Sequence, residues 1–392
     1  MRIGLFTDSY LPMRHGVQAH IDSLREGLQQ LGHEVYIYAP RVPGYKDETQ
    51  NIFRLSSFRV IKKPDMRIAL PHIKDAHIRD IVKMPLDIVH THSPFSIGFL
   101  GEYIAKKQKI PMFYTHHTDY THYASVYMKE KVFLPRFAKK YIKWFADKST
   151  AVIAPSEKVR QMLVSYNVTS PIHILPSGIN CKEFVLDEGD IAKTKELKKR
   201  LGFGIENKII LYFGRIGAEK NIDFLIKSFS VVQEKMPQTR FVVAGDGSYL
   251  KHLRALAKKL GLQEKVVFTG FVPEEEKKLY YGMADAFVFA SHTETQGLVI
   301  LEALASGLPV VALRDSAIEA AVADGISGFL VEGGETDFAD KVLQVLKNLE
   351  LAVRLRAGAK QTALNFDEKN STLKMLQLYE NYRVSSTVPI QS

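Results

Sequence analysis

Cysteine is almost missing: Cys181 is the single one in 392 residues, so no disulfide can form within the chain, and the usage fits a reducing compartment. No motif of a reactive thiol surrounds it. No stretch approaches the roughly 18 consecutive apolar residues that a bilayer-spanning helix needs. A leader peptide is not evident either, because MRIGLFTDSY already reads as a strand; the chain is expected to stay in the cytoplasm. Short repeats and low-complexity tracts are lacking. With 46% hydrophobic, 24% charged and 10% aromatic residues, the composition excludes a disordered or fibrous protein. No D-x-D sequence occurs, which argues against a carboxylate-held metal on a diphosphate; no metal site and no metal requirement are expected.

What is present is length, an α/β pattern and lopsided charge. A chain of 392 residues is too long for one comfortable core, so two domains are expected. The formal net charge is +10, and its placement is informative. Residues 1–180 hold 25 basic and 15 acidic side chains, whereas residues 181–392 hold 28 of each. Most of the excess sits in two segments. Residues 59–84 carry seven basic and three acidic side chains, and residues 129–148 carry seven and two. A basic face on one half suits an anionic surface, lipid or nucleic acid, although any one lysine run also reads as a solvated face.

Short apolar runs alternate with helical patterns along the whole chain, which predicts parallel sheets rather than an all-β or all-α fold. In the first half the strands are expected at 3–6, 35–38, 88–90, 112–114, 152–154 and 173–175. Helical patterns lie at 17–31, 97–107, 136–146 and 157–166. After the turn-rich PSGINCKEF a second series begins: IILYFG, FVVAG, VVFTG, AFVFA, PVVAL and GFLV, each followed by a helix-like stretch. This predicts a first domain of residues 1–178, joined by a terminal helix at 367–392, and a second domain of 179–366. Each is a doubly wound sheet of Rossmann type, and together they face a central cleft, with ligands at the carboxyl ends of the strands. The terminal helix is expected to turn Leu373, Leu376, Tyr379 and Tyr382 inward.

Four features of the second half converge on one chemistry. FGRIGAEKN puts Arg215 and Lys220 in a loop between a strand and a helix, where two cations beside free N–H groups suit a pyrophosphate. Alone, the same pair reads equally as exposed loop charges. FTGFVP offers main-chain groups around Phe271 and Val272 to a base edge, or simply a turn closed by Pro273. SHTETQGLVILEALASGLPVV is the densest signal. Glu294 stands in the loop above a helix whose first amides, at Gly297, Leu298 and Val299, suit an anion. Glu302 sits inside the apolar run LVILEALA, where an unpaired carboxylate costs on the order of several kcal/mol. A ribose diol is a plausible partner for it, and so is a basic neighbour. The glycine-punctuated GLPVVAL and GISGFLV shape the floor.

The set GR-x4-K, TG-F-V, E-x7-E and GLPVVA, in this order and spacing, resembles the retaining glycosyltransferases of family four, which have the GT-B fold; the likeness covers essentially the whole chain. It implies that Arg215 and Lys220 hold the donor diphosphate and that Glu302 binds the ribose. It further implies that Glu294 holds hydroxyls of the transferred sugar, and that Gly297, Leu298 and Val299 contact the sugar and phosphate through their amides. In the first half, His15-Gly16 stands where the family commonly has two glycines beside the diphosphate, leaving Gly16. FYTHHTDY is similar to the family's histidine element and aligns His117 with the sugar-contacting histidine, with His116 one position away. Gln296, in TETQGL, and Tyr120 and Tyr123, in HTDYTHY, resemble the bacterial diacylglycerol glucosyltransferases. What that likeness implies is a UDP-glucose donor, a diacylglycerol acceptor and work at the inner leaflet without a membrane span. A phosphatidylinositol mannosyltransferase using GDP-mannose, or a transferase for a soluble or polysaccharide acceptor, is the alternative.

One segment supports the lipid reading independently. On a helical wheel of 136–146, Phe137, Tyr141, Trp144 and Phe145 fall on one arc, and Arg136, Lys139, Lys140 and Lys143 on the opposite one. A basic amphipathic helix with Trp and Phe suits attachment to an anionic membrane surface, while aromatics at this spacing also suit a core. Residues 73–84 repeat the pattern more weakly. No nucleic-acid recognition motif accompanies the charge, so a nucleic-acid partner is not expected.

Overall fold

The computed structural model describes residues 1–13, 15–60, 63–70, 76–121 and 133–387. Two compact units form, Met1–Gly178 with Glu368–Ser392, and Ile179–Asp367.

The first unit contains β1 (Arg2–Phe6), β2 (Glu34–Pro40), β3 (Ile52–Leu55), β4 (Ser57–Val60), β5 (Lys63–Ala69), β6 (Ile88–Thr91), β7 (Met112–Thr115), β8 (Ala151–Ala154) and β9 (Ile172–Ile174). Seven of these make one parallel sheet in the order β3-β2-β1-β6-β7-β8-β9. β4 and β5 pair separately as an antiparallel ribbon. Strands β6, β7 and β8 are buried throughout, as expected where helices cover both faces of a parallel sheet. Strands β3, β4 and β5 lie where the sequence pattern shows none. They are short, edge-lying and rich in Arg, Lys and Pro, so they lack the apolar run that marks an interior strand.

The second unit contains β10 (Lys208–Phe213), β11 (Thr239–Ala244), β12 (Val266–Gly270), β13 (Ala286–Phe289), β14 (Val310–Leu313) and β15 (Gly328–Val331). All pair in parallel, in the order β12-β11-β10-β13-β14-β15. These are the six strands read from the apolar runs.

Both sheets are doubly wound. The winding reverses between β1 and β6 in the first unit and between β10 and β13 in the second. At such a reversal the loops that leave adjacent strands diverge, opening a crevice at their carboxyl ends. The relevant loops are 7–15 and 92–95 in the first unit, and 214–217 and 290–297 in the second.

The terminal helix, Glu368–Thr387, packs on the first unit, with Thr372, Met375 and Tyr379 buried and Leu376 and Tyr382 partly buried. Leu373 departs from the predicted inward set and is 42% exposed. It lies six residues from Tyr379, about 120° around the helix, and Thr372 takes the inward place. Gly27 of the facing helix leaves it room: a Cβ built on Gly27 would come within 2.3 Å of the Thr372 hydroxyl.

The helix Phe133–Ala146 also splits its predicted aromatic arc. Ile142 and Phe145 are buried against the core, whereas Phe137 is 70% and Trp144 50% exposed. Phe137, Tyr141 and Trp144 form a ladder of ring contacts with centroids 6.4 and 5.9 Å apart, and the Lys148 ammonium sits over the Trp144 ring at 4.4 Å. Arg136, Lys139 and Lys140 are exposed beside this ladder, and Lys143 pairs with Asp147. In the weaker segment, Ile78, Ile81 and Val82 of the helix Ala76–Lys83 are buried and Arg79 and Lys83 are exposed. Among the described residues, no helix is long and apolar enough to cross a membrane.

Candidate functional site

The second unit places Arg215, Lys220 and Glu294 in the loops at the reversal of its sheet, between β10 and β13. The apolar run KIILYF forms β10, and the chain then leaves through Gly214 into the loop bearing Arg215. That loop is held by backbone bonds from Gly214 N–H to Ala244 and from Ile216 N–H to Asp246. The contact with the loop after β11 is so close that a Cβ on Gly245, whose φ is +138°, would lie 1.9 Å from the Gly214 carbonyl oxygen. Gly245→Ala is therefore expected to cost at least about 3 kcal/mol, from positive-φ strain and backbone overlap together. Thermal unfolding reads this directly; a melting temperature at the wild-type value would show that the loop relaxes freely.

Arg215 reaches Glu219 through its guanidinium, and Lys220 reaches Glu294 at 2.5 Å, with both of the latter side chains largely buried. The Lys220 loop meets the loop after β13 at two further points. Asn221 donates from Nδ2 to the Ala290 carbonyl at 3.3 Å, and the Ser291 hydroxyl donates to the Glu219 carbonyl at 3.3 Å. Arg215, Lys220 and Glu294 thus belong to one cluster at the carboxyl ends of β10 and β13.

Gly297 stands at the start of the helix Leu298–Ala305 with φ +78° and ψ +60°, a left-handed conformation that suits glycine. The N–H groups at Leu298 and Val299 belong to the first turn of this helix, where the helix itself supplies no acceptor. Gln296, next to the cap, is buried. Val272 is buried too, so its side chain belongs to the core, whereas its neighbour Phe271 is 73% exposed.

Glu302 has protein partners that the sequence only allowed for. Its Oε1 accepts from Lys277 Nζ at 2.6 Å and its Oε2 from the Tyr281 hydroxyl at 2.7 Å. The Lys277 and Glu302 side chains are 14% and 10% exposed. Lys277 and Tyr281 lie four residues apart on the helix Glu274–Met283, so they share one face and converge on the carboxylate. Burial works against the Lys277 charge, yet Glu302 and Glu274 hold its pKa above the usual lysine value. Burial and then Glu302 push the Tyr281 phenol far up. Lys277 was not found from sequence because EEEKKLYYGM reads as a solvated helix face.

In the first unit, the β1 and β6 loops are tied by Asp8. Its carboxylate accepts from the Ser93 and Ser96 hydroxyls, each at 2.6 Å, and from the Ile97 N–H at 3.1 Å, capping the helix Ser96–Gln108. Burial raises the Asp8 pKa against those hydrogen bonds. Gly16 opens the helix Gly16–Gln30, whose N-cap is His15: Nδ1 accepts from the Gln18 N–H at 3.2 Å.

His117 follows β7 and is joined to His92, which follows β6, by a 3.0 Å bond between His117 Nε2 and His92 Nδ1. His20, one turn into the first helix, approaches His117 with ring centroids 4.8 Å apart. His90 meets His92 with tilted rings, centroids 4.2 Å apart, and is fixed by Tyr379 at 2.6 Å and Thr115 at 2.7 Å. Burial lowers the pKa of all four; His20 drops to about 4. His116 points to the other side of the sheet, where Nδ1 bonds the Tyr114 hydroxyl at 2.8 Å and the ring meets Tyr120. Adjacent strand-end positions face opposite ways, so only His117 joins this cluster. The sequence did carry a signal for its partners: His90-x-His92 at a strand end places two imidazoles on one face. Tyr120 is half-buried against Phe95 and His116, and Tyr123 lies outside the described residues.

Comparison with known proteins gives a glycosyltransferase family model for each half. Residues 14–183 match Glycosyltransferase Family 4, and residues 193–362 match Glycosyl transferases group 1. The chain is 38% identical over 350 residues to the alpha-monoglucosyldiacylglycerol synthase of Streptococcus pneumoniae, covering 88% of this chain and 78% of that protein. To the alpha-monoglucosyldiacylglycerol synthase of Acholeplasma laidlawii it is 34% identical over 369 residues, 92% of each. The crystal structure of Anabaena Alr3699/HepE in complex with UDP superposes with a TM-score of 0.78 over 97% of this chain and 100% of that one, at 17% identity, which establishes the fold as GT-B. Two Rossmann-like units, each with the winding and strand order described above, and matched over nearly their whole length by glycolipid-forming relatives, make this chain a member of glycosyltransferase family 4.

Proposed function

We propose that the chain transfers glucose from UDP-glucose to the free hydroxyl of diacylglycerol, with retention of the anomeric configuration, at an anionic membrane surface. The observation that carries this reading is the likeness to two alpha-monoglucosyldiacylglycerol synthases over at least 88% of the chain. The clustering of Arg215, Lys220 and Glu294 at the reversal of one sheet, with Glu302 on the helix that follows the Glu294 loop, supports it. The departing diphosphate develops charge as the glycosyl bond breaks, and prealigned cations and helix-terminal amides are the means of stabilising it. Arg215, Lys220 and the amides of Gly297, Leu298 and Val299 take that role, Glu302 the ribose and Glu294 the sugar hydroxyls. His117 orients the transferred sugar, and a phosphate oxygen of the donor takes the acceptor proton. No protein nucleophile and no metal enter these steps.

The same reading makes the exposed Phe137 and Trp144 rings, bridged by the half-buried Tyr141, with Arg136, Lys139 and Lys140 beside them, the peripheral membrane contact on the inner leaflet. Each cation near an anionic leaflet contributes about 1 kcal/mol. The double variant Phe137→Ser/Trp144→Ser is expected to lose at least about tenfold in affinity for vesicles containing anionic phospholipid, since burying two aromatic rings in the interface contributes more than 1.4 kcal/mol. Cosedimentation with vesicles measures this, and unchanged binding would move the contact elsewhere.

The deciding experiment is transfer of radiolabel from UDP-glucose into an organic-extractable product, with diacylglycerol micelles with and without anionic lipid. Label in the organic phase that rises with anionic lipid is the expected result. Water-soluble label accompanied by UDP release would keep the donor and discard the lipid acceptor. No UDP release would discard the donor and turn the search to GDP-mannose.

A further inference from the structure

The histidine cluster of the first unit holds more ligating capacity than its hydrogen bonds use. Among the described residues, His20, His92 and His117 are the group whose ring nitrogens, one from each, all lie within 4.8 Å of one another. His20 and His92 are buried, and Nε2 of each is buried without a hydrogen-bond partner. An orphaned polar atom in a protein interior costs about 1–3 kcal/mol, and two of them in one cluster call for a ligand. The three rings come from three separate elements, so folding itself brings them together: His20 from the helix Gly16–Gln30, His92 from the end of β6 and His117 from the end of β7. His90, in tilted ring contact with His92 and bonded by Tyr379 and Thr115, buttresses the second ring.

The donor set is chemically selective. Three imidazoles without a carboxylate suit zinc, copper, nickel or iron and do not suit magnesium or calcium, which take oxygen ligands. Three protein nitrogens also leave a fourth position open. With Zn–N bonds of about 2.0–2.1 Å, tetrahedral ligands stand about 3.3 Å apart, so the rings need to close by at most about 1.5 Å. Metal capture replaces the hydrogen bond between His92 and His117, and the proton that bridged them leaves to solvent.

We propose that His20, His92 and His117 form a site for one zinc-class cation, and that its occupancy suppresses glycosyl transfer by withdrawing the His117 ring from the sugar. The second half of this proposal rests on the functional reading above; the first half does not.

The site is tested on the full chain with cobalt(II) as a spectroscopic stand-in for zinc. One cobalt per chain with intense visible absorption of a tetrahedral centre, displaced by one equivalent of zinc, is expected. His20→Asn and His92→Asn are each expected to lower cobalt affinity at least about 100-fold. UDP affinity and the thermal melt serve as controls that each variant is folded. Retention of one zinc per wild-type chain after dialysis gives a measurement that needs no variant. No visible bands and no retained zinc, or bands of wild-type strength in both variants, would overturn the site. Loss of UDP-glucose transfer on adding one equivalent of zinc, restored by a chelator, is expected for the second half. Full transfer with the cobalt site filled would overturn that half alone.

Discussion

Glu302→Ala will weaken UDP binding about 100-fold and will also cost the folded protein about 3 kcal/mol, for two separable reasons. The carboxylate is the ribose partner in the proposed function, and a hydrogen bond to a charged group contributes about 1.5–3 kcal/mol. It is also the buried counter-ion of Lys277 at 2.6 Å, and removing one member of a buried pair typically costs about 3–5 kcal/mol because the other charge is left uncompensated. Glu274, 3.3 Å from the same ammonium but half-exposed, softens that loss without replacing it. The two effects part company in the companion variants. Lys277→Met strands the Glu302 carboxylate and loses similar stability, while the double variant Lys277→Met/Glu302→Gln removes both charges and regains most of it. Donor affinity stays low in the double variant, because a neutral amide holds the ribose hydroxyls less strongly than a carboxylate does. Thermal unfolding and UDP titration of the three variants resolve the cycle. If the double variant regained donor affinity along with stability, Glu302 would be a packing residue and the ribose would be held elsewhere.

Lys220→Ala will lower turnover with UDP-glucose by about 10²–10³, the usual loss when one preorganised group facing transition-state charge is removed. Its ammonium lies 2.5 Å from Glu294 and both side chains are largely buried. Glu294→Ala will act mainly on turnover as well, through lost contact with sugar hydroxyls, and will leave Lys220 without its close counter-charge. Steady-state kinetics decide the matter. A pure rise in KM for Lys220→Ala, with kcat intact, would assign the lysine to ground-state donor binding rather than to the leaving diphosphate. Unchanged kinetics for both Glu294→Ala and Glu302→Ala would remove the site assignment altogether.

Much of this was legible one residue at a time. The runs at 209–213, 241–244, 286–289 and 310–313 identify parallel interior strands because such strands are covered on both faces and need apolar residues throughout. Glycine after a strand and the apolar run LVILEALA located the cap at Gly297 and the odd carboxylate at Glu302. The reversal of winding follows from the order of elements only once the strands are paired, but the residues it gathers were already readable as Arg215, Lys220 and Glu294.

The rest required contacts between distant parts of the chain. A helical wheel carries angles without neighbours, so it placed Phe145 with Phe137 and Trp144 although packing buries the first and leaves the others exposed. It likewise turned Leu373 inward, whereas in the packed helix Leu373 is exposed and Thr372, close to Gly27 of another helix, is buried. Lys277 reads as a surface lysine until the helix Glu274–Met283 is set against the helix Leu298–Ala305. The histidines at 20, 92 and 117 are separated by tens of residues and share no local motif. Periodicity and propensity act over a few residues, so the sequence by itself determined the interior strands, the helix start at Gly297 and the charged residues that follow β10 and β13. The partner of each buried charge and each buried imidazole depends on which elements pack together, and only the tertiary structure decided that.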